Sequence, residues 1–397
     1  MACRICKKNN LEAVIDLGRQ PWCNHFLSKD EVGKEPFYPL RVVYCLDCRA
    51  TQLDFTVKKE VMFGNHTYLS GVTKSLSDHF KMIANNINDL FPQKNKKLIL
   101  DIGSNDGTQL KHYKDLGWDV LGVESSKITA DIANKNGIKT VNAFFNKDLA
   151  LKLNKQFKII NASGVFFHLE ELHSVTEGIK ILLDTDGVFV IQFLYLKSII
   201  ENNAFDQIYH EHLLYYTLDS LKNLLSQYDL DIFDAYLTPI HGGQMIVYAS
   251  HPDQYNKTDR LKTLEYEEEA SGCNQIGYLV DFSKRIEQMR DENLVFLNSL
   301  KKQKKTVFGM GAPVKGNTLL NYFKIGPELI PFLLEKNPLR KDLFSPGMHI
   351  PIKMEDEMHQ VPDVYYVLAW NFKKEILQNN QHLVDKGIEF YFPIDVG

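Results

Sequence analysis

Apolar residues along this chain gather into short unbroken blocks separated by stretches with helical spacing. LILDI (98–102), WDVLGVE (118–124), the start of FKIINASGVFFHLEEL (157–172) and GVFVIQFLYL (187–196) are such blocks. Continuous apolar runs alternating with helical segments indicate strands of a parallel sheet covered on both faces, with ligands at the carboxyl ends. A second series opens at KKTVFGMGAPVKGNTLLNYFKIG (304–326) and continues through IPFLLEKNP (330–338), SPGMHIPI (345–352) and VYYVLAWNF (364–372). The intervening 255–300 region is charged, with helical spacing. The pattern predicts an α/β protein with a Rossmann-like domain over 71–250, connecting helices over 251–299, a second Rossmann-like domain over 300–397, and a separate unit over 1–70.

Length agrees, since 397 residues exceed one ordinary core and suggest about two to three domains. Hydrophobic residues make up 44% and charged residues 24%, the balance of a globular protein, and the net charge of −4 supplies no basic footprint for nucleic acid. No apolar run approaches the roughly 20 residues that span a bilayer. The first residues, MACRICKKNN, lack the charged-then-apolar layout of a secretory signal. A cytoplasmic protein with no membrane or nucleic-acid partner is expected, and a monomer.

The six cysteines change the picture for the first unit. CRIC (3–6) and CLDC (45–48) are two knuckles able to close a tetrahedral site through Cys3, Cys6, Cys45 and Cys48. Four thiolates leave no open position for a catalytic water, so a structural zinc is expected. Disulfides are the alternative, disfavoured in a reducing compartment. A small domain with a modest core gains from such a staple. Cys23 and Cys273 read as lone thiols.

The turn after LILDI reads GSNDG. Gly103 and Gly107 allow close approach of backbone to ligand, and the amides of the following helix point into the same space. Glu124 ends the next strand, placed to accept from ribose hydroxyls, with Ser125 beside it. A dinucleotide site wants G-x-G-x-x-G, and here no tight glycine pair can cradle a pyrophosphate. Asp101 and Asn105 can instead meet an amino-acid moiety, so S-adenosylmethionine (SAM) fits better, as in motif I of class I methyltransferases. Asn142, Ala143 and Phe144 follow the third strand, where that fold contacts adenine.

After the fifth strand and a short helix comes YHEHLLYY (209–216). Methylating oxygen or nitrogen needs only a modest base. Methylating carbon requires removal of a proton next to a carbonyl and a stabilised enolate, work suited to a histidine near neutral pH and a neighbouring phenol or imidazole. His212 or His210 is the candidate base, Glu211 the group that orients it, and Tyr209 a hydrogen-bonder. A structural polar cluster at a domain junction is the bland reading. Tyr215 and Tyr216 read as a helical stripe used for packing.

The third unit repeats the strand, glycine turn and helix. Lys315 in its turn reads as a point charge for phosphate. Glu335 ends the following strand much as in a dinucleotide site, so NAD is the rival ligand, although G-M-G-A-P is not the full fingerprint.

Taken in order, CxxC…CxxC, DIGSNDG, FDQIYHEHLLYY, HGGQM and GAPVKGNTLLNY resemble the three-domain sugar C-methyltransferases, over essentially the whole chain. The resemblance implies a SAM-dependent enzyme with a structural zinc, acting on a nucleotide-linked keto-deoxysugar, typically at C3 of a dTDP-4-keto sugar. It places the general base on His212, with Glu211 and Tyr209 nearby, His168 close to the sugar, and Tyr68 reaching in from the first domain. Lys315 and Asn317 would face the nucleotide-sugar, and His241 opens H-G-G-Q, where arginine and serine are frequent. The family often has Asn where this chain has Gly164, and Glu where it has Gln192. The competing classes are an O- or N-methyltransferase on another small molecule, and a zinc- and nucleotide-binding module without catalysis.

Overall fold

The computed structural model describes residues 1–64, 69–91 and 98–395. The first unit is an antiparallel sheet of β1 (Leu11–Pro21), β2 (Phe37–Cys45) and β3 (Thr51–Leu53), with the two cysteine knuckles at one end. Register shifts between Ala13 and Ile15 and between Asp16 and Arg19 bend β1, as bulges do. A short helix, Lys59–Phe63, leads toward the second unit.

The second unit contributes β4 (Leu98–Ile102), β5 (Asp119–Glu124), β6 (Thr140–Asn142), β7 (Phe157–Ser163) and β8 (Leu183–Leu194), all parallel. Then β9 (Leu214–Tyr215) leaves the sheet, and β10 (Asp231–Thr238) and β11 (Gln244–Ser250) return to it, β11 running antiparallel to both neighbours. The sheet order is β10-β11-β8-β7-β4-β5-β6. The chain moves outward from β4 to β6 and then crosses to β7, which puts a switch point between β4 and β7, where α/β sheets bind ligands. Residues of β7 and of the second half of β8 are almost all buried, which accounts for their unbroken apolar runs. β7 stops at Ser163, and His168 sits beyond it in a 3-10 turn, Phe166–His168.

Of the expected helical tyrosine stripe, Tyr215 lies in a strand and Tyr216 in an isolated bridge to Tyr195. β9 pairs with β3, Thr51 opposite Tyr215 and Gln52 opposite Leu214. Both tyrosines are buried, so the packing role holds while the period does not; a two-residue strand is too short to show period-2 alternation.

Two helices, Asp259–Ser271 and Ile276–Lys302, precede the third unit. The second has 27 residues, about 40 Å of helix at 1.5 Å per residue. The parallel sheet that follows contains β12 (Val307–Met310), β13 (Leu333–Glu335), β14 (Ile352–Met354), β15 (Val364–Val367) and β16 (Glu389–Tyr391), in the order β14-β13-β12-β15-β16. It too has its switch point beside the first strand. The first and third units meet directly: Leu27 and Phe344 exchange backbone hydrogen bonds at 2.9 and 2.8 Å. Among the described residues no helix is long and apolar enough to cross a membrane.

Candidate active site

Tyr209 and His212 are brought together by a tight turn in which the His212 amide donates to the Tyr209 carbonyl at 2.9 Å. Their rings lie 3.8 Å apart between centroids, and Phe167 (4.8 Å, edge-on) and His168 (5.2 Å) pack around His212. His212 Nδ1 is 2.7 Å from the Gln207 carbonyl. A carbonyl only accepts, so the proton sits on Nδ1 and the neutral ring keeps its lone pair on Nε2. His168 Nδ1 is likewise 2.6 Å from the Glu211 carbonyl. In each imidazole the Nδ1 proton is thus engaged by a backbone carbonyl.

Glu211 is placed differently from the expectation. Its Oε1 accepts from Trp22 Nε1 at 2.7 Å and Asn24 Nδ2 at 3.2 Å, both from the first unit, while the carbonyl of Gln207 holds His212. Burial pushes the Glu211 carboxyl up to about 7, opposed by those two donors. His210 is enclosed by the first unit, edge-on to Tyr38 at 5.7 Å, and burial lowers it to about 4. It is a neutral ring in a wall, whereas His212 adjoins His168 and Tyr209. Burial, and then the nearby Glu211, raise the Tyr209 phenol well above its usual value, so it stays a hydrogen-bond donor.

The glycine turn has the backbone a close ligand approach needs. Gly103, Asn105 and Gly107 have φ of 72°, 52° and 80°. A Cβ on Gly107 would lie 3.0 Å from Ile138, and one on Gly103 only 2.9 Å from Val165. Glu124 accepts from the amides of Asn105 (2.9 Å) and Ser126 (2.7 Å) and from the Ser125 hydroxyl (3.3 Å), leaving part of its lone-pair capacity for a ligand. Asn142 Nδ2 and the Ala143 amide both donate to the Glu124 carbonyl. Asp101 is buried, and burial followed by Glu124 raises its carboxyl well above the ordinary value. The Asn105 side chain, expected at an amino-acid moiety, accepts from the Ser70 amide at 3.0 Å, and Asp106 accepts from Gly71 at 2.9 Å. A second contact crosses the adenine side, where Lys59 lies 4.8 Å over the Phe144 ring and pairs with Glu171.

This turn and the histidines belong to one continuous structure. Val165, against Gly103, begins the segment that carries Phe167 and His168, and the Phe167 carbonyl accepts from the Leu213 amide at 2.9 Å, one residue after His212.

Lys315, expected to offer a charge to phosphate, is held inward. Its side chain is 14% exposed, Nζ lies 3.4 Å from Asp206 Oδ2, and the Trp370 ring is 3.7 Å beneath it. Asn317 donates to the Cys23 carbonyl at 2.7 Å. Glu335 accepts from the Ala312 amide and pairs with Arg340, so the acid expected at a dinucleotide ribose closes its own loop. Gln192 links His79 (3.0 Å) to Gln244 beneath the site. His241 occupies the turn Ile240–Gly242, its side chain outside the described residues, and Tyr68 also lies outside them.

The four cysteine sulfurs of the first unit lie within 4.8 Å of one another, with Cys3 to Cys48 at 3.5 Å and Cys6 to Cys45 at 3.6 Å. Sulfurs each about 2.3 Å from a tetrahedral zinc stand about 3.8 Å apart, so the donor set fits that ion. Cys3 is drawn down to about 5 by its contact with Cys48, which is driven upward.

Sequence reasoning missed Gln207, Trp22, Asn24, Asp206 and Trp370. A signal existed for the tryptophans. A buried indole N–H needs an acceptor, and two of the chain's three tryptophans donate to Glu211 and Asp206, at 2.7 Å each.

Family models match three consecutive regions: a zinc-binding domain at residues 3–63, a methyltransferase domain at 76–235, and a C-methyltransferase C-terminal domain at 239–395. C-methyltransferase NovU of Streptomyces niveus is 30% identical over 399 residues, covering 99% of this chain and 95% of its own. An uncharacterized methyltransferase of Alkaliphilus oremlandii is 27% identical over 40% of this chain and 74% of its own. The glycopeptide N-methyltransferase MtfA, solved with SAM, is 14% identical over 47% of this chain and 97% of its own at a TM-score of 0.36, too slight a likeness to argue from.

Proposed function

The chain belongs to the SAM-dependent C-methyltransferases that join a zinc-binding domain, a methyltransferase domain and a C-methyltransferase C-terminal domain, and on that footing we propose that it methylates a carbon next to the ketone of a nucleotide-linked keto-deoxysugar. The substrate is a dTDP-4-keto sugar and the carbon is C3. The observation that carries this reading is the 2.7 Å contact between His212 Nδ1 and the Gln207 carbonyl, beside His168 and Tyr209. It leaves Nε2 of His212 as the base.

In this reading Nε2 takes the proton from C3, and the electron pair of that C–H bond moves into an enolate on the C4 oxygen. Tyr209 is the group beside His212 that keeps a proton to donate toward that oxygen. The carbon then forms its bond to the methyl group, and the enolate collapses back to the ketone. SAM, when bound, would supply that methyl from a positively charged sulfur left as a neutral thioether. The residues that would hold SAM are Asp101, Gly103, Asn105, Gly107, Glu124, Ser125, Asn142, Ala143 and Phe144. Zinc takes no part beyond holding the first unit, which supplies Trp22 and Asn24 to Glu211.

The test incubates the enzyme with SAM and a panel of dTDP- and GDP-linked 4-keto sugars and weighs the products. A mass gain of one methyl, with the ketone retained and a new C–CH₃ signal by NMR, is expected. Deuterium from solvent should also enter the carbon next to the ketone without SAM. A methyl ether, or no exchange on any keto sugar, would overturn the reading.

A further inference from the structure

The turn after β12 and the helix that follows it carry a lysine and an asparagine that reach, by separate routes, the segment around Tyr209–His212. Lys315 approaches Asp206, which is fully buried and sits in the 3-10 turn Phe205–Gln207. The same carboxylate accepts from Trp370 Nε1 at 2.7 Å. The next residue, Gln207, provides the carbonyl that holds His212 Nδ1. Phe205 docks this 3-10 turn onto the helix Gly316–Phe323, its ring 5.9 Å from Tyr322 and 5.2 Å from Phe323. On the other side, Asn317 of that helix donates to the Cys23 carbonyl, between Trp22 and Asn24, the two donors to Glu211.

We propose that Lys315 and Asn317 are positioning residues for proton abstraction: Lys315 orients His212 through Asp206 and the Gln207 carbonyl, and Asn317 orients Glu211 through the Trp22–Asn24 segment. The third unit thereby sets the reactivity of a base that belongs to the second. Burial lowers the Lys315 ammonium and Asp206 opposes that shift, as expected of a charge held between a carboxylate and the Trp370 ring rather than by water. A buried pair broken on one side leaves an uncompensated charge, so losing the ammonium should displace Asp206 and turn the carbonyl beside it. A general base misplaced by about 1 Å can lose roughly 100-fold in rate.

This inference rests on His212 being the base, and its test has a readout that needs no substrate. The full-length, zinc-loaded enzyme is labelled with ¹⁵N-histidine, and the His212 ring signals are assigned by comparison with His212→Asn. In Lys315→Met those signals should move away from the Nδ1–H form, whereas SAM affinity by calorimetry stays within about two-fold. On a keto sugar that the wild type exchanges, kcat for deuterium exchange should fall about 100-fold with KM little changed, and Lys315→Arg should restore part of it. Asn317→Ala should lower kcat in the same sense. Unmoved His212 signals in Lys315→Met would overturn the inference, as would an unchanged kcat with a raised KM, which would mean direct contact with the substrate's diphosphate. If the wild type exchanges no keto sugar, the fault lies with the proposed function, and the ring signals still decide this point. Should Lys315→Met not fold, Asp206→Asn tests the same route by the same signals.

Discussion

The Gln207 carbonyl lies 2.7 Å from Nδ1 of His212, and that contact, rather than one from the adjacent carboxylate, fixes which ring nitrogen is basic. A backbone acceptor cannot titrate, so the proton on Nδ1 keeps its partner whatever the charge on Glu211.

His212→Asn should abolish exchange and methylation together, by about 10³-fold or more, within the usual range for removing a general base. Asn retains a side-chain donor toward Gln207, so SAM binding by calorimetry and the unfolding temperature should change little. Methylation surviving without exchange would point to a different base.

Glu211 predicts a pH dependence of stability. Its folded-state value of about 7 lies above the ordinary 4.5, so the folded protein holds this proton more tightly than the unfolded chain does. The contribution is complete below about pH 4.5 and is lost as pH rises toward 7, by roughly 3 kcal/mol at most. Glu211→Gln keeps an acceptor for Trp22 and Asn24 but cannot ionise. Denaturant midpoints from about pH 5.5 to 8, with zinc present, should fall for the wild type and stay flatter for the variant.

Gly103→Ala tests the coupling between donor turn and histidines. The residue has φ of 72°, and its Cβ would meet Val165 at 2.9 Å. Backbone strain of about 1–3 kcal/mol is expected, and the neighbour that must give way leads to His168. SAM affinity should fall about ten-fold, or 1.4 kcal/mol, and kcat should fall with it. Calorimetry and exchange rates measure the two separately.

Zinc removal should be felt at the candidate active site although none of the four ligand cysteines is near His212 in sequence. Cys48→Ser deletes one of four ligands, and a roughly 10 °C drop in unfolding temperature is expected from the energy such sites contribute. β3 pairs with β9 just beyond His212, so activity should fall in parallel with zinc content measured by a chromogenic chelator. Full activity in a zinc-free Cys48→Ser protein would sink this coupling.

The sequence by itself determined the elements whose cause is local. Cysteine spacing specifies a ligand set because two residues between thiols are what a knuckle needs, and Cys3, Cys6, Cys45 and Cys48 do converge. Glycines at 103 and 107 announce positive φ, and apolar runs such as Ile159–Ile160 announce strands covered on both faces. The run of His210, Glu211 and His212 also stands out in the sequence as a concentration of titratable groups.

Only the tertiary structure decided which of those groups faces which partner. His210 and His212 are two residues apart and chemically identical, yet one is walled in by Tyr38 and the other lies beside His168. Glu211 meets Trp22, 189 positions away, and Lys315 meets Asp206, 109 positions away by their numbers. Burial and long-range pairing set these outcomes, because a pKa or a tautomer depends on what packs against the ring and not on its neighbours along the chain. The Gln207 carbonyl leaves no trace in the side-chain sequence at all, since every residue has one and only the fold says where it points.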